Sequence, residues 1–263
     1  WYFDVFEVAK ACSTVATSYY GILPIQRIRL ESIYARRERE VELPTYNNEI
    51  IEVFANQHHP LWISEGISHE SMDRYNIRYS FTHNKIVIPH YNVEGKLIGI
   101  RGRALEDEEI NTVGKYMPME IAGKYYSHPL SLTLYGLNVS APEIRREGYV
   151  YVFEGEKSSL LVDSFSMPNC SVAVCGSNFN KYQLNLLLKE VAPKEIIICF
   201  DKEEKEKENT YFNKLMSLCR KFNMYCNFSF IYDTQNLLEL KDSPVDKGQA
   251  VFEQLLANRI QVK

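Results

Sequence analysis

The chain has 263 residues, of which 45% are hydrophobic and 24% are charged, and 30 basic against 34 acidic residues give a formal net charge of −4. This composition is typical of a soluble globular protein and excludes a mainly disordered chain or a coiled coil. No run of apolar residues is long enough to predict a membrane span. The negative total excludes a bulk basic field, so any nucleic acid must be bound by local patches or through metal ions.

The beginning of the chain has helical patterns. Residues 4–40 predict helix, interrupted at Pro24, and residues 41–60 predict a loop, a helix and a second loop. Ser68 followed by the acidic Glu70 predicts a capped helix start. Because the first residue is Trp and no signal peptide follows, we expect a fragment of a longer chain.

A β-hairpin is predicted next. Lys85–Tyr91 and Leu97–Leu105 are rich in strand-forming residues and are joined by a turn that contains Gly95. Alternation along the second strand puts Arg101 and Arg103 on one face of the sheet. The following residues, 106–148, are predicted to be irregular.

The last third alternates between strands and helices. Predicted strands cover Tyr149–Phe153, Ser171–Cys175, Glu195–Phe200 and Cys226–Tyr232, and predicted helices cover Lys157–Phe165, Asn180–Val191, Glu203–Phe222 and Asp246–Asn258. This alternation predicts a mainly parallel sheet wrapped by helices. The fold class is therefore α/β, with an α+β amino-terminal subdomain over 1–146 and an α/β subdomain over 147–263.

Acidic residues follow the predicted strands. Glu154 comes directly after one strand, Asp201 and Glu203 follow another, and Asp242 and Asp246 flank a later turn. Parallel sheets gather such residues at the carboxyl ends of their strands, and clustered carboxylates favour Mg²⁺ or Mn²⁺. Individually, each acid also suits a helix cap or a salt bridge.

Basic and aromatic residues offer contacts for phosphate. Arg101 and Arg103 suit bidentate phosphate binding, with ion pairs to the Glu106–Glu109 run as the alternative. Lys115 and Tyr116 suit charge and stacking contacts with a nucleic-acid strand. The six histidines have no metal-ligand spacing.

The six cysteines, Cys12, Cys170, Cys175, Cys199, Cys219 and Cys226, include no Cys-x-x-Cys pair. We therefore predict no zinc site in this chain. Free thiols in apolar stretches indicate a reducing compartment, and we expect a cytoplasmic protein.

Three segments of the last third, 151–157, 174–177 and 196–203, resemble the TOPRIM domain of DnaG-type primases and topoisomerases. The resemblance implies that Glu154 is the family's metal-binding glutamate and that Asp201 is the first acid of its Asp-x-Asp pair. Glu203 stands where that pair usually has Asp.

Further segments, 85–103, 114–116, 134–137 and 241–246, resemble the core of DnaG-type bacterial and phage primases in the same order. The resemblance covers roughly 62–258. It departs from the family at 130–133, Leu-Ser-Leu-Thr, where a basic residue is expected.

The resemblance implies synthesis of short RNA primers on single-stranded DNA from ribonucleoside triphosphates, in phage or plasmid replication. Glu154, Asp201 and Glu203 would be catalytic and hold two or more Mg²⁺ or Mn²⁺ ions, with Asp242 or Asp246 helping. The implied nucleotide or template contacts are Arg101, Arg103, Lys85, Lys115, Tyr116 and Lys157. A replicative helicase is the expected partner. A TOPRIM nuclease or topoisomerase-like enzyme, and a non-catalytic nucleic-acid-binding module, are the alternatives.

Overall fold

The computed structural model of the protein describes residues 42–203 and 210–262, so the helices predicted over 4–40 lie outside the described residues. An antiparallel sheet comes first, with its strands in chain order: β1 Arg78–Ser80, β2 Lys85–Tyr91, β3 Leu97–Ala104 and β4 Tyr116–Pro118. The predicted hairpin is thus confirmed, with Ile88 opposite Arg101. A separate two-stranded ribbon follows, β5 Glu120–Ile121 and β6 Lys124–Tyr125.

The second sheet contains β7 Tyr149–Phe153, β8 Ser171–Ala173, β9 Glu195–Cys199, β10 Asn227–Phe230 and β11 Ile260–Val262. Its order is β11-β10-β9-β7-β8, and only the β10–β11 pair is antiparallel. The prediction of a mixed α/β protein with a mainly parallel sheet is confirmed.

The α-helices among the described residues are α1 Pro60–Ser64, α2 His69–Arg74, α3 Asp107–Thr112, α4 Leu137–Glu147, α5 Glu156–Ser164, α6 Lys181–Glu190, α7 Thr210–Phe222 and α8 Gln249–Ala257. Short 3-10 helices cover Asn48–Val53 and Leu130–Leu132. The predicted cap of α2 is confirmed, because the Ser68 hydroxyl accepts a hydrogen bond from the Ser71 N–H at 3.1 Å. None of these helices combines the length and the apolar character needed to cross a membrane.

The expectation that residues 106–148 are irregular is wrong over α3, over the short strands β4, β5 and β6, and most clearly over α4. This helix begins after Gly136, whose φ of +83° suits glycine, and it buries Leu137, Ala141 and Ile144. That spacing is helical, but Pro142 inside the helix removes one backbone donor and disguises the pattern.

One continuous hydrophobic core joins the two sheets. It includes Ile86 and Ile88 of the antiparallel sheet together with Val150 and Val152 of the parallel sheet. α4 ends just before β7 and contributes Ile144 to the same core. The division into subdomains at residues 146 and 147 stays a prediction.

Candidate active site

Two acidic side chains lie where neighbouring parallel strands end. Glu154 follows β7 directly, and Asp201 is the second residue after β9. β7 and β9 are paired in parallel, with Phe153 opposite Cys199, so the chain leaves both strands at the same edge of the sheet. Burial of hydrophobic residues on both faces of the strands explains this arrangement, because it leaves polar residues only beyond the strand ends.

Glu154 and Asp201 are hard to ionise in these positions. Burial raises the pKa of Glu154 to about 7, and the neighbouring carboxylates of Asp201 and Glu203 contribute to the rise. Burial also raises the pKa of Asp201 to about 6, with a further contribution from Asp246. Among the described residues, no group donates a hydrogen bond to Glu154 Oε1 or Asp201 Oδ1, both of which are buried. Oxygen ligands that repel one another in this way fit Mg²⁺ or Mn²⁺.

The other three predicted metal ligands each contact a lysine. The pairs are Glu203 with Lys214 at 3.3 Å, Asp242 with Lys247 at 3.1 Å, and Asp246 with Lys157 at 2.8 Å. Asp246 is no helix cap, because α8 begins only after Gly248. Since Asp246 raises the pKa of Asp201, it is better situated than Asp242 to complete a metal site. The metal-binding roles of all five acids stay predictions.

Besides Lys157, which pairs with Asp246, two more of the predicted phosphate contacts are already paired within the protein. Arg101 donates a hydrogen bond from Nη1 to Glu156 Oε1 at 2.5 Å and from Nη2 to the Tyr116 carbonyl oxygen at 3.0 Å. Lys85 forms an ion pair with Glu109 at 2.5 Å. The acidic run 106–109 therefore pairs with Lys85, whereas Arg101 reaches across to α5.

Three other basic side chains lie close to the acidic edge. Burial lowers the pKa of Lys115, and the positive charges of Arg103 and Lys157 lower it further. Lys115 in turn favours the charged form of Asp201, so the basic and acidic groups are neighbours. Basic side chains beside carboxylates suit a triphosphate, whose oxygens can contact both the basic side chains and a metal ion held by the carboxylates.

Known proteins similar to this chain include two curated relatives, while no protein-family model matches it. The chain is 35% identical over 241 residues to the SPbeta prophage-derived uncharacterized protein YorJ of Bacillus subtilis strain 168, which covers 86% of this chain and 64% of that protein. It is 26% identical over 134 residues to a DNA primase of Halalkalibacterium halodurans, which covers 51% of this chain and 21% of the primase. The chain thus spans less than two thirds of either relative.

Solved structures of primases are similar to this fold. The zinc-binding and RNA polymerase domains of Aquifex aeolicus primase match with a TM-score of 0.63 and 16% identity, over 95% of this chain and 70% of theirs. The catalytic domain of a DnaG primase bound to single-stranded DNA matches with a TM-score of 0.60 and 15% identity, over 81% and 77%. The Escherichia coli primase catalytic core matches with a TM-score of 0.57 and 18% identity, over 77% and 73%.

The chain has the fold of a DnaG-type primase catalytic core. The resemblance read from the sequence is therefore confirmed at the level of the fold. The assignment of the TOPRIM domain within this DnaG-type core stays a prediction.

Sequence reasoning missed a buried polar cluster beside the parallel sheet. Glu156, the first residue of α5, is 1% exposed and contacts Arg101 and, at 3.3 Å, His90. Burial alone would raise the pKa of Glu156, but the hydrogen bond from His90 and the charge of Arg101 lower it to about 2. The His128 ring packs against His90 at a tilt of 53°, with ring centroids 4.7 Å apart.

A metal is disfavoured in this buried cluster. Ligand atoms of His90, Glu156 and Cys175 lie within 4.8 Å of one another, but Arg101 already supplies the positive charge that Glu156 requires. The cluster joins residues that are far apart in the chain, so their spacing gives no motif. The sequence feature that could have indicated the cluster is Glu156, the second acid of Glu154-Gly155-Glu156, which follows closely after an apolar predicted strand.

Proposed function

We propose that this chain is the catalytic part of a primase, which extends RNA on a single-stranded DNA template by metal-dependent nucleotidyl transfer. The observation that carries the proposal is a pair of half-buried carboxylates, Glu154 and Asp201. Each has one buried oxygen that accepts no hydrogen bond from the described residues. They lie at the carboxyl edge of a parallel sheet in a fold shared with DnaG catalytic cores. The DnaG structure bound to single-stranded DNA supports that template.

In the proposed reaction, the 3′-hydroxyl of the primer attacks the α-phosphate of a ribonucleoside triphosphate. A phosphodiester bond forms, and the bond to the departing pyrophosphate breaks. Divalent ions held by Glu154, Asp201, Glu203 and Asp246 would stabilise the charge on the attacking and departing oxygens.

The chain's own residues would hold the substrates. Lys115, with the charges of Arg103 and Lys157 beside it, would contact the triphosphate or the template backbone. The Tyr116 ring packs against the core and lies beside both Lys115 and Arg101, so it would help to orient Lys115. Because metal ligands must be deprotonated, the raised pKa values of Glu154 and Asp201 predict that activity increases as the pH rises through about 6 to 7.

The biological setting is inferred from the relatives. The prophage origin in the name of the Bacillus subtilis relative supports a role in phage replication. A replicative helicase as recruiting partner and a cytoplasmic location remain predictions from the resemblance.

The test is extension of an RNA primer annealed to single-stranded DNA, with labelled ribonucleotides and Mg²⁺ or Mn²⁺. We expect Glu154→Gln to reduce extension by at least about 100-fold, because a charge-stabilising group is lost at the reacting phosphate. The control is Glu253→Gln, which changes an exposed glutamate on α8 whose side chain accepts a hydrogen bond from Gln249. Metal-dependent cleavage of the DNA without extension would overturn the proposal in favour of a nuclease. Absence of both reactions and of Mn²⁺ binding would favour a non-catalytic module.

A further inference from the structure

Lys202 lies between two predicted metal ligands, but its ammonium group is directed to another segment. Its Nζ donates hydrogen bonds to Asp233 Oδ2 at 3.0 Å, to Asn236 Oδ1 at 2.7 Å and to the Leu238 carbonyl oxygen at 2.8 Å. An ammonium group has three N–H donors, so all of them are used. The Asp233 side chain is only 2% exposed, and the Lys202 side chain 12%.

The backbone of Lys202 reinforces this connection. Its N–H donates to the Asp242 carbonyl oxygen at 2.9 Å, and its own carbonyl oxygen accepts from the Lys241 N–H at 2.7 Å. Lys202 thus binds both ends of the segment 233–242 to the residues that follow β9. Leu238, within this segment, is buried in the hydrophobic core, so core packing and the hydrogen bonds of Lys202 together hold the segment in place.

The segment held by Lys202 continues directly into the late acids. Asp246 Oδ2 accepts a hydrogen bond from the Ser243 N–H at 2.8 Å, which fixes the Asp246 carboxylate to the turn that follows the segment. The turn begins at Asp242, whose carbonyl oxygen accepts from the N–H of Lys202 at 2.9 Å, so it starts beside the residue that follows Asp201. The contacts of Lys202 therefore link the chain beside Asp201 to the turn that carries Asp246, whose other oxygen pairs with Lys157 at 2.8 Å.

We propose that Lys202 is a positioning residue of the metal site, which sets the distance between Asp201 at the strand end and Asp246 in the late turn. This inference rests on the proposed function, since it assumes that these acids bind a divalent ion. Lys202 would act without touching the ion or the substrate.

Lys202→Met tests the inference, because two explanations predict changes of opposite sign. If Lys202 acted only through its charge, its removal beside the acids would tighten cation binding. If it positions Asp246, the same change weakens binding, and we expect about a tenfold loss of Mn²⁺ affinity, as for other groups that support metal ligands. Affinity is measured by calorimetry with Mn²⁺ alone on the whole chain.

Lys214→Met is the matched control. Lys214 contacts Glu203 at 3.3 Å from an exposed position on α7, so the substitution makes the same charge change near the acids without releasing the segment 233–242. We expect equal or tighter Mn²⁺ binding in this variant.

Asn236→Gly provides a variant without a charge change, which decides the question if Lys202→Met does not fold. Asn236 has a φ of +55°, which glycine adopts readily, so the substitution removes one acceptor of Lys202 without straining the backbone. We expect about a threefold loss of Mn²⁺ affinity, as for a single hydrogen bond. Unchanged affinity in this variant would contradict the inference.

Two outcomes separate this inference from the proposed function. Mn²⁺ binding by Lys202→Met that is as tight as in the unmodified chain would overturn the positioning role and leave the proposed function intact. Failure of the unmodified chain to bind Mn²⁺ would overturn both.

Discussion

Glu154 and Glu156 are two residues apart in the sequence, yet the pKa values of their carboxylates are shifted in opposite directions. The pKa of Glu154 is raised to about 7 by burial and by Asp201 and Glu203. That of Glu156 is lowered to about 2, because the hydrogen bond from His90 and the charge of Arg101 outweigh its burial. Burial is common to both, so the partners decide the sign of the shift.

The comparison separates a binding site from a structural ion pair. Glu156 has its counter-charge within the protein, and the pair joins α5 to the antiparallel sheet. Glu154 faces other acids and leaves one buried oxygen without a donor among the described residues. A buried carboxylate whose partners are absent is the better candidate for a group that acts on a ligand.

The largest expected effect is on stability. We expect Glu156→Gln to lower the free energy of unfolding by about 3–5 kcal/mol, because it leaves the Arg101 charge buried without its partner. Glu154→Gln should leave stability unchanged or raise it at pH 8, since it removes repulsion between carboxylates. Urea unfolding of both variants measures the difference.

The double variant Arg101→Met, Glu156→Leu is the control. Replacing both members of a buried ion pair by apolar residues of similar size is often neutral, so most of the lost stability should return. If Glu154→Gln destabilised the protein as much as Glu156→Gln, the distinction between the two carboxylates would be lost.

Much of the fold follows from the sequence alone. The hairpin of β2 and β3 and the strands β7, β9 and β10 have clear apolar patterns, and the acids that follow β7 and β9 mark the edge where a site would lie. Prediction failed for α4, because Pro142 conceals a helical spacing of buried residues.

Contacts between distant segments limited the prediction of the site. The role of Arg101 depends on Glu156, which is 55 residues away, and that of Lys202 depends on Asp233, which is 31 residues away. Neither distance corresponds to a helical or strand period, so a single sequence carries no sign of these pairs. Glu154 and Asp201 were predictable because strand topology alone brings them together.

The next effect is on the pH dependence of stability. The lowered pKa of Glu156 contributes about 3 kcal/mol above its unfolded value of 4.5, and this contribution is lost as the pH falls toward 2. For Glu154 the sign is reversed, because a raised pKa disfavours the ionised form in the folded protein. Its effect is to lower stability as the pH rises from about 4.5 to 7. Asp201, with its pKa raised to about 6, lowers stability in the same way from about pH 4 upward. We therefore expect a maximum of stability near pH 4 to 4.5 in urea unfolding without divalent ions.

Two variants test which residues cause the rise and the fall of stability with pH. The double variant at Arg101 and Glu156 should flatten the acid limb. Glu154→Gln should reduce the slope between about pH 4.5 and 7, where Asp201 still contributes up to about pH 6. A profile in which neither variant changes its own limb would contradict the assignment of these two groups.

The smallest expected effect is stabilisation by Mg²⁺. An ion that binds only the folded chain adds about 1.4 kcal/mol to the free energy of unfolding at ten times its dissociation constant. The increase should be larger at pH 8 than at pH 5.5, because Glu154 and Asp201 are protonated at the lower pH and then make poor ligands. Thermal unfolding with and without Mg²⁺ measures it, and Glu154→Gln should reduce the increase, whereas Glu253→Gln should not. An equal increase at both pH values would mean that Mg²⁺ binds away from these two carboxylates, and the contrast between Glu154 and Glu156 would then describe only the stability of the fold.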